Sequence, residues 1–439
     1  MLENNKAKVQ KLGLWMSTAL VAGTMIGSGV FLLPASLAAY GGISLFGWIF
    51  TTIGAFLLAS TLSSLSKKVP KTGGPYAYTQ AGFGDFAGFL VGWGYWISLL
   101  TGSAAIAVAA VGYLAYFFPL MSQNQVLAGC TAMLFIWLLT TVNMLGTRRA
   151  GALQLVTTIL KILPLIMVIV LAFFQFDLSN FQPFNASGTS SFSAITSTAT
   201  LTLWAFLGLE SATVAAENVE DPERNVTRAT MYGTIITAFI YILGTMSVMG
   251  ILPQELLSTS TAPFADAARQ VAGEWAGNIV AIGAVISCIG ALNGMILLQG
   301  QMPFALARDG LFGGRFGKLS RMGTPIYALG LSGLLVTMFM IINYTRGLID
   351  LFTFIIRLST LSILLPYSFS AMAELRLLHS QNGNSGTSNK VRKTAVACLA
   401  FAYSIWAISG SGQQIVYLGF ILFLLGMPFY VLFTKGTKL

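Results

Sequence analysis

Three ionisable residues stand in stretches that are otherwise apolar: Lys161 in TTILKILPL, Glu210 in LWAFLGLES and Arg357 in TFIIRLSTLSILLPY. A charge facing hydrocarbon costs about 2.5–3.5 kcal/mol or more, so each is expected to face protein or a polar path. Glu210 is expected to carry or sense a proton on such a path; its alternative is a structural carboxylate paired with a neighbouring base. Lys161 lies about nine residues into its apolar run, roughly 13 Å deep by helical rise, too deep to snorkel easily. Its bland alternative is a salt bridge. Arg357, two residues before Ser359, is expected either to line an outer vestibule or to pair with a carboxylate such as Glu210.

A second kind of chemistry lies in the main chain. GTMIGSGVFLLP puts Gly27-Ser28-Gly29 inside an apolar run, and LWAFLGLES puts Gly208 near the middle of another. A break in a membrane helix frees N–H and C=O groups that lipid cannot satisfy, so it persists only against protein or a polar cavity. N–H groups opening the half-helix after Gly27–Gly29 suit a carboxylate, and carbonyls closing the preceding half suit an ammonium. A zwitterionic amino acid offers both, one carbon apart. Gly23 and Gly27 also form a small-xxx-small pair, whose alternative purpose is close helix packing.

Other chemistries find no residues. No Ser/His/Asp set, phosphate loop or metal-ligand cluster is present, so neither an enzyme nor a cofactor is expected. His379, the only histidine, falls in the polar LLHSQNGNSGTSNK and is expected to face solvent. AENVEDPERNV reads as a solvated loop with gating contacts. Cys130, Cys288 and Cys398 lie in apolar runs at no metal-like spacing, and small buried thiols are expected rather than a disulfide.

The elements that must position these groups are membrane helices. With 55% hydrophobic and 9% charged residues and a mean hydropathy of +0.77, the 439-residue chain has far more apolar surface than a soluble core can hide. Twelve spans are expected, beginning near Leu14, Ser44, Phe86, Val126, Leu153, Ala194, Met231, Asn278, Ile326, Ile349, Thr394 and Gln414. Lys6, Lys8 and Lys11 precede the first, which is too long for a signal peptide and reads as an uncleaved helix.

Alternating the spans puts 20 of the 24 Lys and Arg on one side and only Arg269 and Arg346 on the other. That bias predicts cytoplasmic termini in a bacterial inner membrane. The net charge of +10 is therefore an orientation signal beside the lipid, and no nucleic-acid partner is expected.

Spans one to five (14–175) and six to ten (194–373) make the second half a shift of ~180 residues from the first, with an interrupted segment at the same place in each. Five being odd, the second copy is inverted. Residues 1–13, the external loop 176–193, the cytoplasmic loop 374–393, two further helices in 394–434 and the tail 435–439 complete the expected organisation.

GTMIGSGVFLLPASLA, KTGGPYAY, LWAFLGLESATVAAENVEDPERNV and ARDGLF resemble, over nearly the whole chain, the amino acid, polyamine and organocation transporters. Within them the chain is most similar to the basic amino acid and polyamine antiporter group and its arginine/agmatine branch. The resemblance implies an all-α, LeuT-like fold of twelve helices, with discontinuous helices one and six.

It implies that backbone N–H groups of Ser28 and Gly29 hold the substrate carboxylate, and that carbonyls of Met25, Trp204 and Leu207 meet the α-amino group. Trp204 would close over the substrate. Tyr95, Glu210 and Tyr367 would form a deeper gate, and Ser98, Ser103 and Ser359 would line the side-chain pocket. In several relatives, a lysine matching Lys161 stands in for a sodium ion.

Two positions depart from the arginine/agmatine pattern. Met295 replaces a second gating tryptophan, and Ser103 replaces an asparagine that recognises guanidinium. Two intramembrane cations against one carboxylate also disfavour a dication by Coulomb repulsion, which tilts the expectation toward neutral amino acids.

The expected function is amino acid exchange by alternating access, with proton-coupled uptake and a non-transporting sensor as alternatives. Amino acids or amines and the lipid bilayer are the expected partners, and a homodimer is left open.

Overall fold

The computed structural model describes residues 13–71, 73–146, 153, 156–214, 219–342, 348–380 and 387–434. Regular elements among these are helical. In chain order they are α1 (Leu14–Met25), α2 (Ser28–Ala38), α3 (Ser44–Lys68), α4 (Pro75–Phe83), α5 (Asp85–Ala115), α6 (Leu120–Gln123) and α7 (Gln125–Met144). Then come α8 (Val156–Ala172), α9 (Ser191–Leu203), α10 (Ser211–Val214), α11 (Pro222–Ile251), α12 (Gln254–Thr259), α13 (Pro263–Ala272) and α14 (Glu274–Arg308). The chain closes with α15 (Ile326–Ile342), α16 (Leu348–Ser380), α17 (Thr387–Ser409), α18 (Gln413–Leu424) and α19 (Gly426–Phe433). Three short 3₁₀ turns intervene.

Among the described residues ten helical stretches are long and apolar enough to cross a membrane, and α8 and α15 are shorter apolar helices at the expected fifth and ninth spans. Lys6, Lys8, Lys11, Arg148, Arg149, Arg346, Lys435 and Lys438 lie outside the described residues.

Two packing groups emerge. Helices α1, α3, α9 and α11 pack on one another, while α5, α7, α14, α15 and α16 form the other set, with α5 enclosed between α14 and α16. Lipid tails are as apolar as leucine, so helices in a bilayer associate through close packing rather than the hydrophobic effect, and glycines set the approach. A Cβ on Gly23 would fall 2.5 Å from Thr158 Oγ1, and one on Gly27 2.7 Å from Ala291 Cβ. Gly23 packs closely within α1, and at Gly27 close packing and the interruption coincide. Large apolar side chains such as Trp15, Phe173, Phe239 and Leu432 point outward, as a lipid-facing surface requires.

Several expectations are corrected. The seventh helix begins at Pro222 rather than near Met231, because Pro222 suits the first helical turn and the polar Glu223–Thr230 stretch simply extends α11 past the hydropathic region. Only part of AENVEDPERNV is therefore loop. His379 is exposed but sits in the last turn of α16, with Nδ1 2.8 Å from the Leu375 carbonyl. Cys288 is buried, whereas Cys130 and Cys398 are exposed on outer helices α7 and α17; an apolar surroundings signal does not distinguish lipid from core.

Candidate functional site

Regular helix stops at Met25 and resumes at Ser28. No side chain caps the N-terminus of α2, and the Ser28 hydroxyl, 1% exposed, has no hydrogen-bond partner among the described residues. The opening N–H groups of a helix have no intrahelical acceptor and carry the positive end of its dipole, so this terminus is suited to an anion.

On the other side of the interruption, the Lys161 ammonium reaches in from α8 and donates to the Gly23 and Ile26 carbonyls, the latter at 2.7 Å. Lys161 is fully buried. No carboxylate pairs with it among the described residues. The close contact of Gly23 with Thr158 brings α8 near enough for this reach.

The second interruption lies beside the first. Helix α9 ends at Leu203, a 3₁₀ turn covers Trp204–Phe206, Leu207 is extended, and helix restarts at Ser211. Gly208 has φ +107°, a left-handed conformation that side chains resist. A Cβ there would also lie 2.9 Å from Thr24 Oγ1. The Thr24 hydroxyl lies 2.7 Å from Ser211 Oγ and 3.2 Å from the Gly208 carbonyl. From α11, the buried Tyr241 hydroxyl meets the carbonyls of Met25 and Ala205. Met25 O, one of the expected ammonium acceptors, therefore shares the single Tyr241 O–H proton with Ala205 O and retains a free lone pair.

Trp204 is 4% exposed and lies across α2, α5 and α16. A Cβ on Gly102 would fall 3.1 Å from its Cη2 and 3.3 Å from Ser359 Oγ, and one on Gly29 would fall 3.3 Å from its Cδ1. Ser98 and Ser359 join α5 to α16 by reciprocal bonds, each hydroxyl donating to the other's carbonyl at 2.9 and 2.7 Å. Ser103 Oγ accepts from Gln299 Nε2, which also reaches the Leu99 carbonyl at 3.0 Å. Met295, half-buried, lies one helical turn before Gln299 on α14.

A deeper layer centres on Glu210. Tyr95 and Tyr367 donate to its two carboxylate oxygens at 2.9 and 2.8 Å, and the Gly208 amide donates at 3.2 Å. All three side chains are at most 2% exposed. Arg357 does not pair with Glu210: its Nη2 donates to the Tyr40 hydroxyl at 3.0 Å, and its Nε has no partner among the described residues. Glu210 already accepts from three donors, and Arg357 finds its partner in Tyr40 instead.

The structure thus gathers Met25, Ser28, Gly29, Trp204 and Leu207 around two adjacent interruptions, and groups Tyr95, Glu210 and Tyr367 in one layer. Sequence reasoning missed Thr24, Gly102, Tyr241 and Gln299. A polar residue inside an apolar helix was the available signal for Gln299 in GMILLQGQMP. No group of His, Cys, Asp or Glu that could hold a metal occurs among the described residues.

The amino acid permease family matches residues 12–436. A cadaverine/lysine antiporter of Escherichia coli K12 is 35% identical over 379 residues, 84% of each chain. An arginine/ornithine antiporter of Pseudomonas aeruginosa is 32% identical, covering 97% of this chain and 91% of the relative. A putrescine transporter of Haemophilus influenzae is 32% identical over 97% of both.

Proposed function

The chain belongs to the amino acid permease family, and from that premise we propose that it exchanges an amino acid for a related amino acid or amine across a bacterial inner membrane. The observation that carries this reading is the pair of adjacent interruptions at 26–27 and 204–210, with an uncapped helix N-terminus on one side and Trp204 packed over it. In this reading they break the first and sixth of twelve membrane helices, in 5+5 inverted repeats spanning 14–175 and 194–373. The Ser28 and Gly29 amides take the carboxylate. The Trp204 and Leu207 carbonyls, with the remaining lone pair of Met25, take the ammonium.

Alternating access then has α1, α3, α9 and α11 rock against the α5, α7, α14, α15 and α16 set, which the packing supports. Lys161 occupies a cation site through the Gly23 and Ile26 carbonyls. Tyr95, Glu210 and Tyr367 close the cytoplasmic side. Cytoplasmic termini are supported by the basic bias and by the convergence of Lys67, Arg392 and Lys393 on one face.

The relatives' names make lysine, arginine, ornithine and diamines the first substrates to test. The site itself favours a molecule with one α-carboxylate over a diamine, because its carboxylate, Glu210, is already held by three donors. Met295, Ser98, Ser103 and Ser359 leave neutral side chains as a second reading.

Counterflow in proteoliposomes decides the mode. Labelled amino acid is expected to accumulate only in vesicles preloaded with an unlabelled partner. Accumulation in unloaded vesicles under a proton gradient would favour symport, and none under any gradient would leave only a sensor. If Glu210 is also linked to protons, Glu210→Gln flattens the pH profile of exchange; an unchanged profile confines the residue to the gate.

A further inference from the structure

A cavity of about 390 Å³ opens well away from Trp204, at the face carrying the basic clusters. That volume lies within the roughly 300–1,000 Å³ of small-molecule sites. Its walls come from α3, α11, α16 and α17. Lys67, Arg392 and Lys393 edge it, Ser60, Thr61, Ser63, Ser64 and Thr227 give it a hydroxyl lining, and Met231 and Val396 supply its apolar part.

Glu374, the cavity's carboxylate, is 1% exposed and bonds Lys68 at 2.8 Å and Ser64 at 2.7 Å through Oε1. Its Oε2 and the Ser63 hydroxyl are buried without partners. No carboxylate pairs with Lys67, Arg392 or Lys393 among the described residues.

Three cations without counter-ions around a concavity attract a phosphate. Glu374 Oε2 adds an acceptor for a donor carried beside that phosphate, and the Met231–Val396 wall admits the start of an acyl chain. We propose that this cavity binds an anionic phospholipid whose headgroup bears a hydroxyl, of the phosphatidylglycerol type. The phosphate sits among Lys67, Arg392 and Lys393, and the headgroup hydroxyl donates to Glu374. Because α3 and α11 form one wall and α16 belongs to the opposite packing group, the bound lipid bridges the two sets. Binding of the lipid does not depend on the exchange activity proposed above.

The test is native mass spectrometry of the full-length protein, purified in detergent and titrated with phosphatidylglycerol or phosphatidylcholine. Wild type is expected to retain phosphatidylglycerol at least tenfold more strongly. The triple variant Lys67→Gln/Arg392→Gln/Lys393→Gln should bind about a hundredfold more weakly, and each single replacement about fivefold; the single variants keep the test valid if the triple misfolds. Arg315→Gln/Lys318→Gln/Arg321→Gln, the same charge change on an exposed loop, should bind like wild type. Equal loss in both triple variants, or no preference over phosphatidylcholine, overturns the site. Displacement of the lipid by millimolar inorganic phosphate, with the same dependence on the three cations, overturns the lipid assignment in favour of a soluble phosphate.

Discussion

Lys161→Ala is expected to lower sodium-free exchange at least tenfold, with partial recovery in high sodium. The wild-type ammonium is fully buried and satisfies two carbonyls from the end of α1. Hydrogen bonds to a charged group contribute about 1.5–3 kcal/mol each, and a buried carbonyl left without a donor costs about 1–3 kcal/mol. Removal therefore loosens the main chain on which the first interruption depends.

Alanine also vacates room next to the Gly23 and Ile26 carbonyls and the buried Ser287 hydroxyl, an oxygen set that a small cation can use. Lys161→Met, which refills that space with an apolar chain, is expected to fail without sodium rescue. Uptake of labelled amino acid into preloaded proteoliposomes, with sodium or choline outside, provides the measurement. Normal sodium-free exchange in Lys161→Ala would return the residue to a packing role.

Trp204→Leu should abolish most exchange, by about tenfold or more, while Trp204→Phe retains a measurable part. The indole packs against Gly29 of α2 and Gly102 of α5, with Ser359 of α16 also beside Gly102, so three helices converge near the ring. Leucine leaves a void between them at a cost of about 1–3 kcal/mol and, on the proposed role of Trp204, takes away the surface that would close over the substrate. Ligand-induced thermal stabilisation should shrink in parallel, since it tracks affinity for the folded state. Near-normal exchange in the leucine variant would remove Trp204 from the gate.

Much of the architecture was legible because hydropathy reports directly on bilayer-length helices. Gly27-Ser28-Gly29, Lys161 and Glu210 were legible because each violates the rule of its surroundings. The partners of these groups were harder to read. Nothing local to Tyr241 says that its hydroxyl will reach the Met25 and Ala205 carbonyls from another helix, and a tyrosine in an apolar run looks like any other. Gln299 was overlooked beside Met295 because substitution at a matched position drew attention to the pocket wall rather than to what holds it. Of the two alternatives for Arg357, pairing with Glu210 does not occur: charge complementarity suggests it, but Tyr95, Tyr367 and the Gly208 amide donate to that carboxylate, and Arg357 bonds Tyr40. The basic cavity at α3, α11, α16 and α17 draws on residues more than 300 positions apart, so their convergence depends wholly on tertiary packing.

The two interruptions carry a consequence for mutagenesis. Their exposed chemistry at 26–29 and 204–210 is amide and carbonyl, which every amino acid except proline supplies equally. Alanine at Ile26, Ser28 or Leu207 therefore leaves those main-chain groups in place, whereas Gly27, Gly29 and Gly208 have no room for a Cβ and Trp204 and Glu210 contribute side-chain contacts. Sensitivity is expected also at a distance, in the side chains that hold the main chain: Thr24, Lys161 and Tyr241. A mutational map of the interruptions is therefore expected to report side chains and glycine packing, and to under-report the main-chain amides and carbonyls.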